Sequence, residues 1–556
     1  MASNVDVKYD EKGSSTFETW SGYPVKRTYG PQDLSDWGYE KHLGEPGEYP
    51  FTRGIHDTMY RGKHWIKRFF AGVGTASDTN KRFKFLIAHG ETGIITPPDQ
   101  LGQVGLDALH PLAEGNVGLS GTPFSILGDM EKIFKGLPLN DVSVSLQWAS
   151  TPGIVAYSSY ITCAQNMGFD ISRLRGSILM DPIGHYCVCW GESARPLNLG
   201  IKLKVDMMEY GNKHTPYWYP FVICGHDIRE MGITAAQEIA FALCSAVAYA
   251  EAAIDRGLDP DDFLPRMVLS IGLQMDLFEE IAKLRAARRV WAKIARERLG
   301  AKDPKSWSLV CSVKTSGSSL TLQQPANNII RTTVETLGAI LGGAQSIEPC
   351  GYDEVVSIPS EEAGLTGMNI HHILAHEARL PNTVDPLGGS YYVEALTNKI
   401  EEEIVKIMDT VDDMGGIVRA YESGWVEGEM RKEALRYQTQ VENNERVIVG
   451  VNDYIVPKEK EVPIKTESEI RSRDLVNKSE EMEEDLRKFK ENRNQESWRR
   501  SLDDLRENAA RDEKENLVPW IIESLNAGGT IGEIMGVMRE AYGASYDPCR
   551  MIDSPI

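Results

Sequence analysis

Residues 267–298, MVLSIGLQMDLFEEIAKLRAARRVWAKIARER, carry two hydrophobic periods back to back. Met267–Ile271 is a short apolar run that ends on glycine, and it predicts a buried strand. Leu277, Ile281, Leu284 and Trp291 then recur at the 3.6-residue spacing of one helix face, which predicts a helix from Leu277 to Arg298. One strand feeding one helix is the unit from which parallel sheets are built.

Working outward, the unit repeats. Val142–Trp148 (VSVSLQW), Tyr219–Cys224 (YPFVIC) and Ser308–Val313 (SLVCSV) predict strands. Ala235–Arg256 predicts a helix with Ala, Ile and Leu along one side. Repetition across residues 51–400 predicts an α/β fold, and eight repeats fit a (β/α)8 TIM barrel. A doubly wound open sheet is the alternative, although no Gly-x-Gly-x-x-Gly follows a strand to mark a dinucleotide site. Barrel chemistry belongs to the carboxyl ends of strands. There the sequence places Ala149-Ser-Thr-Pro-Gly, Gly225-His-Asp, Gln274, Lys314-Thr-Ser-Gly and the stretch Gln345 to Glu354, all small, polar or titratable.

Ahead of these strands, Arg53–Gly72 interleaves Arg53, Arg61, Lys63, Lys67 and Arg68 with Met59, Tyr60, Trp65, Phe69 and Phe70. Cations among aromatics suit a ligand with phosphate at one end and apolar bulk at the other. A solvated domain edge has the same composition. Residues 1–50 are polar and rich in Gly and Pro, and read as an extended arm available to a partner subunit. Residues 401–465 read as a helical extension and linker, and 466–556 as a charged helical region closed by an apolar-faced helix, Leu517 to Tyr542.

Net charge is −21, which opposes a nucleic-acid partner or an anionic membrane surface. No apolar run reads as a membrane span, and MASNVDVKYDEKGSS has no signal pattern. The eight cysteines are expected as buried thiols in a reducing cytoplasm. Cys187-Val-Cys189 lacks a second pair at zinc-ligand spacing, so no metal site is expected.

Six motifs, in order, carry a resemblance: YPFTRG with TMYRG and Trp65 at 49–65, FAGVGTASDTNKRF at 70–83, FEEIAKLRAARRVWAKI at 278–294, KTSGSSLTLQQPANNIIRTTVE at 314–335, LGGAQS with GYDE at 341–354, and DPLGGSYYVEALT at 385–397. The chain resembles the large, substrate-binding subunit of adenosylcobalamin-dependent acyl-CoA mutases. The resemblance implies a barrel whose bore holds the pantetheine arm of coenzyme A. It implies adenosylcobalamin as cofactor, acting through a radical 1,2-shift of a carbon group. No Asp-x-His-x-x-Gly cobalt-ligand motif occurs, so the cofactor is expected mainly on a separate small cobalamin-binding subunit, with a G-protein reactivating chaperone as a further partner.

At the coenzyme A end, the resemblance implies that Met59, Lys63, Arg68, Ser143, Ser145 and Arg285 bind CoA; an internal helix salt bridge is the other reading of Arg285. Glu354, with Cys350, falls where relatives hold the adenosyl group. At the acyl end the family pattern is altered. Phe70 stands for a tyrosine, Cys189 for the arginine that meets a substrate carboxylate, Leu179 for a glutamine, Ile95 for a serine and Lys314 for a glutamine. The family's Ser-Gly-Tyr-His reads Cys224-Gly-His226-Asp227, so His226 or Asp227 takes the place of the thioester-binding histidine. Gln147 and Trp148 join Ile95, Leu179 and Cys189 as the expected acyl pocket. An apolar lining with one cation, Lys314, implies a bulky aryl- or alkyl-substituted succinyl-CoA or malonyl-CoA, as in the (2-aminobenzyl)malonyl-CoA mutase type. Isobutyryl-CoA or 2-hydroxyisobutyryl-CoA mutation, and a non-catalytic acyl-CoA-binding homologue, remain the alternatives.

Overall fold

The computed structural model describes residues 17–72, 74–189, 196–462, 468–511 and 514–556. Eight parallel strands form its centre: β1 (Ile66–Lys67), β2 (Gly93–Thr96), β3 (Ser143–Leu146), β4 (Arg175–Ile178), β5 (Trp218–Tyr219 and Phe221–Cys224), β6 (Met267–Leu273), β7 (Val310–Thr315) and β8 (Ser346–Glu348). Pro220 has no N–H to give a ladder and splits β5. The first half of β5 pairs with β4, Trp218 opposite Gly176, and the second half with β6, Phe221 opposite Met267. Strand β8 pairs with β1, and a parallel bridge from Phe70 to Ile95 joins β1 to β2. The ring of neighbours is complete, so the sheet is a barrel.

A helix follows every strand: α1 (Ala76–Ala88), α2 (Leu127–Phe134), α3 (Gly153–Asn166), α4 (Leu197–His214), α5 (Ala235–Arg256), α6 (Leu277–Lys293), α7 (Asn327–Leu341) and α8 (Glu361–His372). Helix α5 begins in a capping box, Thr234 with Gln237, and ends on left-handed Gly257. It is the one described helix long and apolar enough to cross a membrane, an exception to the reading that no apolar run is so long. Of its most apolar window, 78% is buried inside the fold, as a core helix requires.

Beyond the barrel, α9 (Tyr391–Asp413) packs across α5 and α6 and spans the expected edge at residue 400. Helices α10 (Trp425–Glu442), α11 (Ser468–Asn492), α12 (Gln495–Arg511), α13 (Val518–Asn526) and α14 (Ile531–Ala541) follow. Helix α12 is not merely a charged rod. Trp498, Leu502, Leu505 and Ala509 recur along one face and join α13, α14 and α3 in one hydrophobic cluster. The N-terminal arm, expected to contact a partner subunit, is anchored to its own chain at Trp20 and Ser21. Trp20 N donates to Asp276 Oδ2 (2.9 Å), Ser21 N donates to Glu279 Oε2 (3.1 Å), and the Arg446 guanidinium covers the Trp20 ring at 4.3 Å. Residues 1–16 of that arm lie outside the described residues.

Candidate functional site

The interior of the barrel is where this sheet departs from an ordinary one. Barrel bores are usually filled by bulky branched side chains. Here serine stands at inward positions of β3, β4, β6, β7 and β8. Ser145 lies opposite Ser177, and Ser312 lies between Ser270 and Ser346 in register. Ser145 Oγ and Ser177 Oγ are 3.1 Å apart, and Gln147 Nε2 donates to Ser145 Oγ at 2.8 Å. Hydroxyls that bond one another leave space where isoleucines would interlock. Arg68, one residue past β1, lies along the wall of this space. Its guanidinium donates to Ser346 Oγ (2.8 Å), Ser143 Oγ (3.0 Å) and Ile94 O (3.0 Å). Burial lowers its pKa to about 10, which marks a desolvated cation.

Toward the carboxyl ends of the strands the bore widens into a cavity of about 470 Å³. Phe70, Ile95, Leu179 and Val188 give it apolar walls, with Gln147 and Cys189 beside them. Lys314 and Glu348, neighbours in the β7–β8 register, face each other there with Nζ and Oε1 3.5 Å apart. The Lys314 ammonium also lies 5.3 Å from the centre of the Phe70 ring. Burial opposes its charge, but Glu348, Glu354, Cys350 and Asp227 together raise its pKa well above the ordinary lysine range. The cation expected to await a substrate carboxylate therefore already has a carboxylate beside it.

The opposite wall holds a chain of acids and imidazoles. His226 and Asp227 open a five-residue helical turn after β5. His226 Nδ1 donates to Asp227 Oδ1 (2.7 Å), and its Nε2, buried without a hydrogen-bond partner, lies 3.3 Å from Glu230 Oε1. Asp227 Oδ2 accepts from His185 Nε2 (2.5 Å), whose Nδ1 donates to Asp181 O (2.9 Å). Burial would raise the Asp227 pKa, but the two imidazoles hold it well below the carboxylate range. Both histidines are in turn raised well above the usual imidazole value against burial, His226 by Asp227 and Glu230, and His185 by Cys224 and Asp227. Glu230, with His226 and the backbone N–H groups of Gly317 and Ser318 upon it, is lowered to about 2 despite burial.

Among the residues singled out from sequence, Phe70, Arg68, Ile95, Gln147, Leu179, Cys189, His226, Asp227 and Lys314 meet at this cavity. Trp148 does not. Odd and even positions of a strand face opposite ways, and β3 carries Gln147 inward, so Trp148 turns out against Phe124, ring centres 5.9 Å apart. Arg285 is also elsewhere: buried on α6, it is paired with Asp385 (2.6 Å) and Glu394. These pairs run to the loop at Asp385 and to α9, so they are not the salt bridge within its own helix that the sequence offered as the other reading. Met59 is packed into the core at the turn before β1, and Lys63 is exposed nearby; neither lines the cavity. Cys350 points its thiol at Thr315 O (3.0 Å), and Glu354 accepts from Gly351 N (2.6 Å) just past β8.

Sequence reasoning missed His185, Glu230 and the serines at 177, 270, 312 and 346. The serines had a signal, an alternating Ser within each strand run. His185 had none, because it reaches Asp227 only when the loop after β4 folds against the turn after β5. A second cavity of about 680 Å³ adjoins the first at Glu230 and Met231 and is roofed by Trp20, Tyr437 and Arg446. It lies outside the strands, whereas the smaller one gathers the bore, the cation and the imidazoles.

Comparison with known proteins agrees with this architecture. The methylmalonyl-CoA mutase family model matches residues 18–544. The 2-hydroxyisobutanoyl-CoA mutase large subunit of Aquincola tertiaricarbonis is 36% identical over 527 residues, covering 95% of this chain and 92% of that protein. A methylmalonyl-CoA mutase of Rhizobium meliloti (strain 1021) is 35% identical over 95% of this chain and 72% of its own length. The mitochondrial methylmalonyl-CoA mutase of Bos taurus is 32% identical over 96% of this chain and 70% of its own. With a serine-lined barrel and a family match over nearly its whole length, this chain belongs to the methylmalonyl-CoA mutase family.

Proposed function

We propose that this chain is the acyl-CoA-binding large subunit of an adenosylcobalamin-dependent mutase acting on a bulky substituted succinyl-CoA or malonyl-CoA. The observation that carries the reading is the serine-lined bore, which opens into a cavity walled by Phe70, Ile95 and Leu179 and holding one lysine. A slender pantetheine chain suits a tube of hydroxyls, and a large acyl group suits the wider apolar end. Arg68, dry and bonded to serines of β3 and β8, lines one side of the bore along which a pantetheine arm would pass. His226, in the cavity wall with its Nε2 3.3 Å from Glu230 Oε1, would donate to the thioester carbonyl by turning from that carboxylate. Lys314, released from Glu348, would meet an acyl carboxylate.

The residues present fit the cofactor. Glu354 is a carboxylate past the end of β8 able to accept from ribose hydroxyls, and Ser316 Oγ beyond β7 is buried with no protein partner. When bound, adenosylcobalamin supplies the radical that takes a hydrogen from the acyl group. This chain's own part is to orient that group and keep water out. A partner subunit follows from the relative named a large subunit, and it would carry most of the cofactor contacts.

A second reading has its own support. The 36% match to the 2-hydroxyisobutanoyl-CoA mutase large subunit, together with the neutralised Lys314–Glu348 pair, favours a smaller, uncharged acyl group. The test is turnover of a panel of CoA esters by the reconstituted two-subunit enzyme. Fastest conversion of an aryl- or alkyl-succinyl-CoA supports the proposal. Faster conversion of isobutyryl- or 2-hydroxyisobutyryl-CoA selects the second reading. Tight binding of CoA esters without turnover of any would make the chain a non-catalytic homologue.

A further inference from the structure

Two side chains on the wall of the acyl cavity, His185 and Asp227, converge with Cys224 behind them at a spacing that could hold an ion. His185 Nε2, Cys224 Sγ and an Asp227 carboxylate oxygen all lie within 4.8 Å of one another. His185 and Cys224 are 2% and 1% exposed. One imidazole and one thiol out of bulk water, with one carboxylate 34% exposed at the cavity side, form the donor set of a late divalent ion with three protein ligands.

Each donor is held by an outer partner. Asp181 sets two of them: its carbonyl accepts from His185 Nδ1 (2.9 Å), and its carboxylate Oδ2 accepts from the Cys224 backbone N (2.9 Å). Asp181 is itself fixed, its Oδ1 accepting from Tyr249 O–H (2.9 Å) and Gly184 N (3.0 Å). The third donor, Asp227, has its other oxygen on His226 (2.7 Å). The Nδ1 contact turns Nε2 of His185 toward the site, which is how metal-bound histidines are oriented.

We propose that His185, Cys224 and Asp227 form a binding site for a zinc-type divalent ion, with the fourth coordination position open to the acyl cavity for an oxygen ligand. Charge favours it. The ion displaces the proton that His185 Nε2 shares with Asp227 and the proton of the Cys224 thiol. A dication, a thiolate, a carboxylate and a neutral imidazole then sum to zero in a buried place. The His185–Asp227 contact at 2.5 Å opens to the wider ligand–ligand separation of a tetrahedral site. An oxygen ligand in the open position would be water or an acyl oxygen, polarised by the ion.

The test uses the full chain, freed of metal with a chelator, and Co²⁺ or Zn²⁺ alone as probe. We expect one Co²⁺ per chain, with tetrahedral visible bands and a thiolate-to-cobalt band in the near ultraviolet. Cys224→Ser should abolish the thiolate band, and His185→Gln should weaken Zn²⁺ binding by roughly 10-fold or more in chelator competition. Cys163→Ser, on α3 away from the cluster, should change neither. Should a variant misfold, the wild-type cobalt spectrum still decides. No bound ion, a cobalt spectrum without the thiolate band, or a band that survives Cys224→Ser would overturn the site. Because the readout is spectroscopic and needs no substrate, it fails or succeeds independently of the mutase reading.

Discussion

His371 shows how one side chain can set an acid limit on the fold. It is fully buried on α8, and its Nδ1 accepts from Trp65 Nε1 at 2.9 Å. Burial drops its pKa to about 3. Above pH ~6.5 both folded and unfolded chains carry it neutral. Below that, the unfolded chain takes up a proton that the folded chain refuses until about pH 3, so stability falls with pH across this window. The expected slope from this residue is about 1.4 kcal/mol per pH unit. Denaturant melts of the wild type from pH 7 to 4 should fall more steeply than those of His371→Gln, which keeps an acceptor for Trp65; parallel curves would refute it. Arg285 carries a second prediction at this scale. Arg285→Met leaves Asp385 and Glu394 buried with less counter-charge, a loss of about 3–5 kcal/mol by precedent for broken buried pairs. Affinity for a CoA ester, measured calorimetrically on folded protein, should stay within about threefold, since a larger loss would cost more than roughly 0.7 kcal/mol of direct contact.

At the scale of elements, the short strands matter more than the long helices. Gly176 in β4 lets two neighbours approach: a Cβ there would stand 1.9 Å from Val144 O and 2.5 Å from the Trp218 ring. Pairing of β3, β4 and β5 at that level therefore depends on glycine. The inward serines of β3, β4 and β6–β8 keep the tube open at low cost, because a hydroxyl is small and can be bonded in place, Ser145 with Ser177 and Ser346 with Arg68. Ser312→Leu, at the midpoint of β7, should keep the fold and gain apolar contact while filling the bore. The expected result is an unchanged or higher melting temperature with acyl-CoA affinity reduced at least about 100-fold, roughly 2.7 kcal/mol. Unaltered affinity would mean that the thioester does not run through the barrel.

For the whole molecule, the C-terminal helices are part of the barrel's exterior, not an appendage. Helix α13 packs on α3 and α4, and α14 on α3. Glu533 ties this layer together, accepting from Arg493 Nη1 (2.7 Å) and Trp498 Nε1 (3.0 Å), with Lys490 Nζ at 3.3 Å. Lys490 also pairs with Asp107 (2.9 Å), in the long connection after β2. A chain ending at residue 494 would uncover apolar surface of α3 and α4. It should be recovered aggregated, or bind a hydrophobic dye strongly in whatever fraction stays soluble. A soluble, cooperatively melting product would show that the barrel is self-sufficient.

Much of this protein was written in local pattern. The strands at Val142, Tyr219, Met267 and Ser308 and the helices at Ala235 and Leu277 were legible because long β-branched runs and 3.6-residue stripes decide local structure. Strands β1, β2, β4 and β8 were not, because Lys67, Gly93, Arg175 and Gly176 break the apolar runs of the first three and β8 is only Ser-Ile-Glu. Their extended form comes from the barrel that pairs them. The site divides the same way. Phe70, His226, Asp227 and Lys314 stand at strand ends that sequence could number. Trp148 and Arg285 were sent elsewhere by strand parity and by Asp385 and Glu394. What sequence determined by itself was the repeating unit and the kinds of residue at the strand ends, because periodicity and side-chain chemistry are local. What only the tertiary structure decided was partnership: His185 against Asp227, Glu348 against Lys314, serine beside serine on neighbouring strands. Those contacts join residues far apart in the chain, and only closing the barrel brings them within reach.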